Sequence, residues 1–320
     1  MMINVRSILL GSVAMALAGA AHAQAVRMLS GHPPGGAVDA VARIYAERLA
    51  ESLGRPVVVE TRAGAGGRIA AGLLKASPPD GNTLQTIPAS ALSLYPHTVD
   101  KPDYDVFKDF VAVGHVGTYD IGLAVNPAIP AKDFREWMDF VRADKKNGIY
   151  ASGNAGTDLH LLGAALGQAA NLPLSHVAHN GSGPATTDLL GGHVSSALLP
   201  MAQLLGHHKA GKMRVLANSS VRRSSAAPEV PTFRELGFPA LELSGWYVVI
   251  APAGMRVDLL QRYNEAIVQG GRLPVVRERM AKLDLEIVEA DVAAVNALLR
   301  SHFERWGPVV KASGFRADSK

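Results

Sequence analysis

Two glycine-rich runs carry the residues best placed for chemistry. Residues 30–39 read Ser-Gly-His-Pro-Pro-Gly-Gly-Ala-Val-Asp, and residues 152–157 read Ser-Gly-Asn-Ala-Gly-Thr. Each follows a short apolar stretch (26–29 and 149–151) and precedes a helical pattern, from Val38 and from Asp158. A strand, a glycine turn and a helix start, in that order, aim unpaired backbone N–H groups at one point, which makes an anion site without a cationic side chain. Gly35 and Gly36 keep side chains out of that approach, and Ala37 and Val38 open the helix. In the second run Ser152, Asn154 and Thr157 add polar side chains to the backbone of Gly153 and Gly156. Thr157 has the alternative of capping its helix. Ser90 faces the same choice, with the cap preferred. Asp39 is expected to cap its own helix, since a carboxylate repels a bound anion. The distance in sequence between the runs suggests one per domain. Facing each other across a cleft, they would hold the two ends of a dicarboxylate.

Other chemistries find less support. Residues 62–68 offer Gly64 and Gly66 as the first two glycines of a dinucleotide fingerprint. The third position is Ile69, and no acidic ribose partner follows, so no nucleotide cofactor is expected. His176 and His179, three apart on or near a strand, face opposite sides, and no carboxylate or cysteine cluster completes a metal set. His207 and His208 are equally unsupported. A hydrolase is the enzyme alternative, with Ser152 and His160 as a conceivable dyad. The G-x-S-x-G elbow is missing, however, and the chain has no cysteine to act as a nucleophile.

The elements that position these runs follow from apolar periodicity. Val38, Val41, Tyr45 and Leu49 repeat at helical spacing, Gly54 and Pro56 stop that helix, and 57–59 reads as a buried parallel strand, giving a βαβ unit over 26–59. A second glycine turn leads to a helix over 69–75. Strands are expected at 83–87, 123–125, 149–151, 213–217 and 246–251. Helices are expected from Asp158, over 185–190, and over 259–268, 274–282 and 291–306. Phe134, Trp137, Met138 and Val141 form a core stripe. Chain crossings near Val125 and Trp246 divide the molecule into 24–124 plus 246–320 and 125–245. The expected class is α/β, each domain a mostly parallel sheet flanked by helices.

With 320 residues, 48% of them hydrophobic and 19% charged, the chain can bury cores of that size. Its start reads as a secretory signal: Arg6, an apolar run over 8–20, and Ala21-His22-Ala23 for cleavage, leaving a chain from Gln24. The absence of cysteine excludes a lipid-modified anchor. No later segment is apolar enough to span a bilayer, so a soluble periplasmic protein is expected. A formal net charge of +4, without basic runs longer than two and with 6% aromatics, argues against nucleic-acid binding.

Taken in order, these motifs resemble a known family. Residues 33–39, the strand 57–60 with 62–69, Pro79-Asp80-Gly81 and 152–161 match it. So do 183–192, Val230-Pro231-Thr232, Trp246 and Ala251-Pro252-Ala253-Gly254. The chain is similar over nearly its whole mature length to the substrate-binding proteins of tripartite tricarboxylate transporters, the Bug-type receptors of Gram-negative bacteria. The resemblance implies a two-domain, type II-like periplasmic binding protein. It implies a monomer that closes by hinge motion on a small organic acid and delivers it to integral-membrane transporter subunits. A receptor feeding a membrane sensor is the alternative. It also implies that the loops at 34–38 and 152–157 bind the ligand carboxylate through backbone N–H groups and ordered water. Two positions depart from the pattern: His32 stands where an aromatic is common, and His179-Asn180 replaces an aromatic and a basic residue before Gly181. Both lie near the expected cleft, so His32 and His179 join the candidate ligand contacts, and a ligand more polar than an apolar-ended acid is expected.

Overall fold

Apolar strands joined by glycine turns and amphipathic helices fold here into one continuous curled sheet covered by helices. The computed structural model describes residues 25–317. The signal segment expected at 1–23 lies outside them. Strand β1 (Val26–Ser30) leads into helix α1 (Ala37–Leu53), which Gly54 ends in the left-handed conformation, and then into β2 (Val57–Thr61). β1 pairs in parallel with β2, so the expected βαβ unit is present. β2 is not buried, however: it forms the sheet edge, and Val58 is exposed. A second glycine turn gives α2 (Arg68–Lys75), then β3 (Thr83–Pro88), parallel to β1. Gly31 and Gly67 abut so closely that a Cβ on Gly31 would stand 2.3 Å from the Gly67 Cα. The two turns therefore form one surface.

β4 (Phe110–Val125) organises the rest. Its first half, to Asp120, pairs antiparallel with β9 (Ser244–Pro252), which in turn joins β3. From Ile121 onward it pairs instead with β7 (Ser196–Pro200) and β8 (Arg214–Asn218). β5 (Ile149–Ser152) then links β7 to β6 (Ser175–Ala178), both in parallel. The sheet thus changes partners between Asp120 and Ile121 and returns at Ser244. The divisions expected at 124/125 and 245/246 both fall inside strands, β4 and β9. The sequence reading saw only the last residues of β4, because Gly114, Gly117 and Gly122 interrupt its apolar pattern. A Cβ at any of them would press within 2.6–2.8 Å of Ile267, Met280 or Met201 and Leu204, so those side chains would have to shift.

The second lobe carries α3 (Phe134–Ala143), with Trp137 fully buried, then α4 (Asp158–Ala170), α5 (Ser182–Leu190) and α6 (Met201–Lys209). β7 and α6 went unread in the sequence; after Thr232 the stretch to Gly237, which the sequence offers as a short helix, is a series of turns. The chain ends in α7 (Val257–Arg272), α8 (Pro274–Lys282) and α9 (Val292–Ser313). Through Val295 and Leu299, α9 covers the first lobe. Farther along, Trp306 and Val310 pack with Leu94 of that lobe and Leu161 of α4. Among the described residues, no helix is long and apolar enough to cross a membrane.

Candidate functional site

Four helices begin at one place. The N-terminal turns of α1, α4, α5 and α6 open onto a cleft of about 460 Å³ between the lobes, floored by Tyr119 of β4 and Tyr247 of β9 with ring centroids 4.6 Å apart. Among the described residues, no lysine or arginine lines it. Attraction for an anion would therefore have to come from helix dipoles and unpaired N–H groups.

Of the residues singled out in the sequence, His32, Gly35, Gly36, Ala37, Val38, Ser90, Gly153, Asn154 and Thr157 line this cleft. On the first loop not every donor is free. Gly35 N–H donates to Asp39 Oδ2 (3.2 Å) and Gly36 N–H to Pro33 O (3.4 Å). The N–H groups of Ala37, Val38 and Asp39 make no bond among the described residues, so they are the loop's available donors. Asp39 is not the cap. Gly36 is, without a side-chain bond. Asp39 sits in the first turn, reaches back to the loop and is paired with Arg43 at 2.9 Å. Ser90 is not a cap either, since Ala89 holds that position and Ser90 faces the cleft.

The second loop is braced more heavily. Thr157 caps α4, its Oγ1 accepting from His160 N–H at 3.4 Å and donating to Asn154 O at 2.9 Å. Ser152 and Gly156 do not line the cleft. Ser152 is fully buried, with Oγ 2.7 Å from His176 Nε2, and Gly156 N–H donates to His160 Nδ1 at 3.1 Å. The partner of Ser152 is thus His176 rather than His160. The two imidazoles stack at 4.0 Å, and burial lowers them to about 3 and about 4 respectively. Fully buried and off the cleft wall, Ser152 is not placed to attack a cleft ligand. His179 also lies outside the cleft. It borders a side pocket of about 260 Å³ and is held by Asp188 at 2.7 Å. Among the described residues, no cluster of three potential metal ligands exists.

His32 stays in the wall against Gly67. Burial lowers its imidazole to about 4, which keeps it neutral at pH 7, and its Nδ1 has no partner among the described residues. The sequence reading missed Asp158, Tyr119, Tyr247 and Gln203. Asp158, at the first position of α4, is 4% exposed and accepts a hydrogen bond from Tyr119 Oη at 2.7 Å. Burial raises its pKa above the usual carboxylate value, partly offset by Tyr119 and Ser90. The acidic residue was visible in the sequence as a helix start, but its partner lies 39 residues away on a strand that was not recognised.

Residues 41–315 match TctC, the tripartite tricarboxylate transporter family receptor. The chain is 33% identical over 297 residues to BugT of Bordetella pertussis, covering 91% of this chain and 90% of that protein. The solved periplasmic binding protein BugD superposes with a TM-score of 0.85 at 27% identity, covering 91% of this chain and 98% of BugD. MatC from Rhodopseudomonas palustris, solved with bound malate, gives 0.84 at 25% identity, covering 90% and 99%. The two solved relatives have the two-domain fold of periplasmic binding proteins, and the family and these neighbours are substrate-binding receptors, not enzymes. The chain belongs to the tripartite tricarboxylate transporter receptor family, whose Bug-type members it resembles throughout.

Proposed function

We propose that this protein captures a small organic carboxylate between its lobes in the periplasm and delivers it to the membrane subunits of a tripartite tricarboxylate-type transporter. The observation that carries this reading is the convergence of four helix N-termini on a cleft that, among the described residues, no lysine or arginine lines. The malate bound to MatC adds a precedent for the ligand class. Secretion would remove residues 1–23, and the receptor would act as a monomer. The two lobes, joined through β4, β9 and α9, would close on the ligand.

Binding strength is within reach of such a site. Micromolar affinity corresponds to about −8 kcal/mol. Bonds to a charged group contribute roughly 1.5–3 kcal/mol each. The free N–H groups of Ala37, Val38 and Asp39 therefore approach that figure, and the dipole of α1 adds up to about 2 kcal/mol. The remainder offsets the cost of ordering and closure. Titration calorimetry with citrate, malate, glutamate and nicotinate tests the reading. We expect micromolar binding of at least one polar acid, recovered chemically unchanged. Failure of every carboxylate to bind would refute it, and a preference for nicotinate would refute the expected polar ligand.

A further inference from the structure

The two loops were expected to act alike, each gripping one carboxylate, but the structure makes them unlike. At the first loop, Asp39 turns away to Gly35 and Arg43 and leaves three N–H groups open. At the second, the helix start carries a carboxylate of its own on the cleft wall. Asp158 occupies the first position of α4 and lines the cleft; burial raises its pKa, while Tyr119, Ser90 and the N–H groups of Leu159 and of Asp158 itself work the other way. His160 N–H is taken by Thr157 and Gly156 N–H by His160. Two of this loop's donors are therefore engaged before any ligand arrives, and the carboxylate of Asp158 stands beside those that remain.

Asp158 is held in place on purpose-built packing. Tyr119 Oη donates to its Oδ2, and Gly245 leaves the room: a Cβ at Gly245 would stand 2.5 Å from Asp158 Oδ2 and 2.2 Å from the Tyr119 ring. No cation among the described residues pairs with it. A second acceptor lines the same cleft, since Gln203 Oε1 is buried without a partner. One end of the cleft thus presents donors, and another part of its wall presents a carboxylate.

Resting on the carboxylate-receptor reading above, we propose that Asp158 sets ligand class, selecting an acid that bears an ammonium or comparable nitrogen donor over a plain dicarboxylate. The ligand carboxylate sits at the start of α1, and the nitrogen group is the missing partner of Asp158. A ligand with a second carboxylate at that point would bring two like charges together in a cleft without a fixed cation.

Calorimetry with paired acids tests this: glutamate against glutarate, and 4-aminobutanoate against succinate. In the native protein the nitrogen-bearing member of at least one pair binds about tenfold or more tighter, the size of one charge-assisted bond. Asp158→Asn, checked for an unchanged circular dichroism spectrum, removes that preference and leaves or improves dicarboxylate binding. If in both pairs the dicarboxylate binds the native protein as tightly as its nitrogen-bearing partner, the proposal is overturned while the receptor reading stands. If no carboxylate of either kind binds, the receptor reading fails and takes this proposal with it. Should the variant not fold, the paired titrations on the native protein decide alone.

Discussion

At Gly36 the backbone is extended, and a Cβ would meet only Pro33 O at 3.5 Å, an ordinary contact. Gly35, by contrast, holds a φ of +81°, which side chains disfavour. The two glycines therefore do different things: Gly35 makes the turn and Gly36 keeps the cleft open. Gly36→Val should abolish ligand binding, read by calorimetry, while moving Tm by no more than about 2 °C, as for a substitution outside the core. Unchanged affinity would place the ligand elsewhere. Asp158 gives a pH-dependent counterpart. Its folded pKa lies above the unfolded value, so the buried charge costs stability once pH rises through the folded pKa, and that cost vanishes below the unfolded value near 3.8. Asp158→Asn should therefore raise the Tm of the ligand-free protein at pH 7.5, by about 2–4 °C for each kcal/mol relieved. That advantage should shrink as pH falls toward 4. An advantage independent of pH would mean that protonation is not its source. What the sequence shows at this scale is residue type. It shows that Asp158 opens a helix, but not that Tyr119 waits for it.

Among the elements, the glycine-turn-helix units were legible because their signals are local: apolar strands, Gly and Pro at the turns, and a helical repeat in the next turn. β1, α1, α2, β5 and α4 all follow that rule, as does α8, which begins at Pro274 as expected. β4 and β7 were not legible in full. β7 is buried at every position, so no alternation marks it, and β4 is interrupted by glycines whose reason is a distant helix side chain. The cost of that misreading was the floor of the cleft, because Tyr119 stands in the unread half of β4. β9 makes the point testable. Gly245→Ala would drive a methyl into Tyr119 and Asp158, an overpacking that costs about 1–3 kcal/mol. We expect a Tm lower by several degrees together with weaker ligand binding, measured by thermal unfolding and calorimetry. A normal Tm would show that the Tyr119–Asp158 contact yields easily and is no fixed part of the site.

For the whole molecule, the joint between the lobes matters more than either lobe. β4 changes partners between Asp120 and Ile121, β9 starts beside that point at Ser244, and Ser244 Oγ donates to Asp120 Oδ1 at 2.7 Å. α9 adds a third tie. Trp306 and Val310 touch Leu94 on one side and Leu161 on the other, Phe315 packs on the His160 ring at 4.4 Å, and Ala317 N–H donates to Thr98 O. Hinge closure places its φ/ψ changes in a few residues at element ends, and the point where β4 changes partners and β9 begins offers such residues. In the proposed function the ligand would bridge the free N–H groups of α1 to the wall formed by α4, α5 and α6. A ligand that touches only one lobe has no means of favouring the closed form, since it must interact differently with the two states to shift them. Small-angle scattering should accordingly show a smaller radius of gyration with saturating ligand than without. Gly36→Val should give the ligand-free value under both conditions. A native protein whose radius is unchanged at saturation would mean that the cleft is already closed before the ligand arrives, and that the lobes move, if at all, on release.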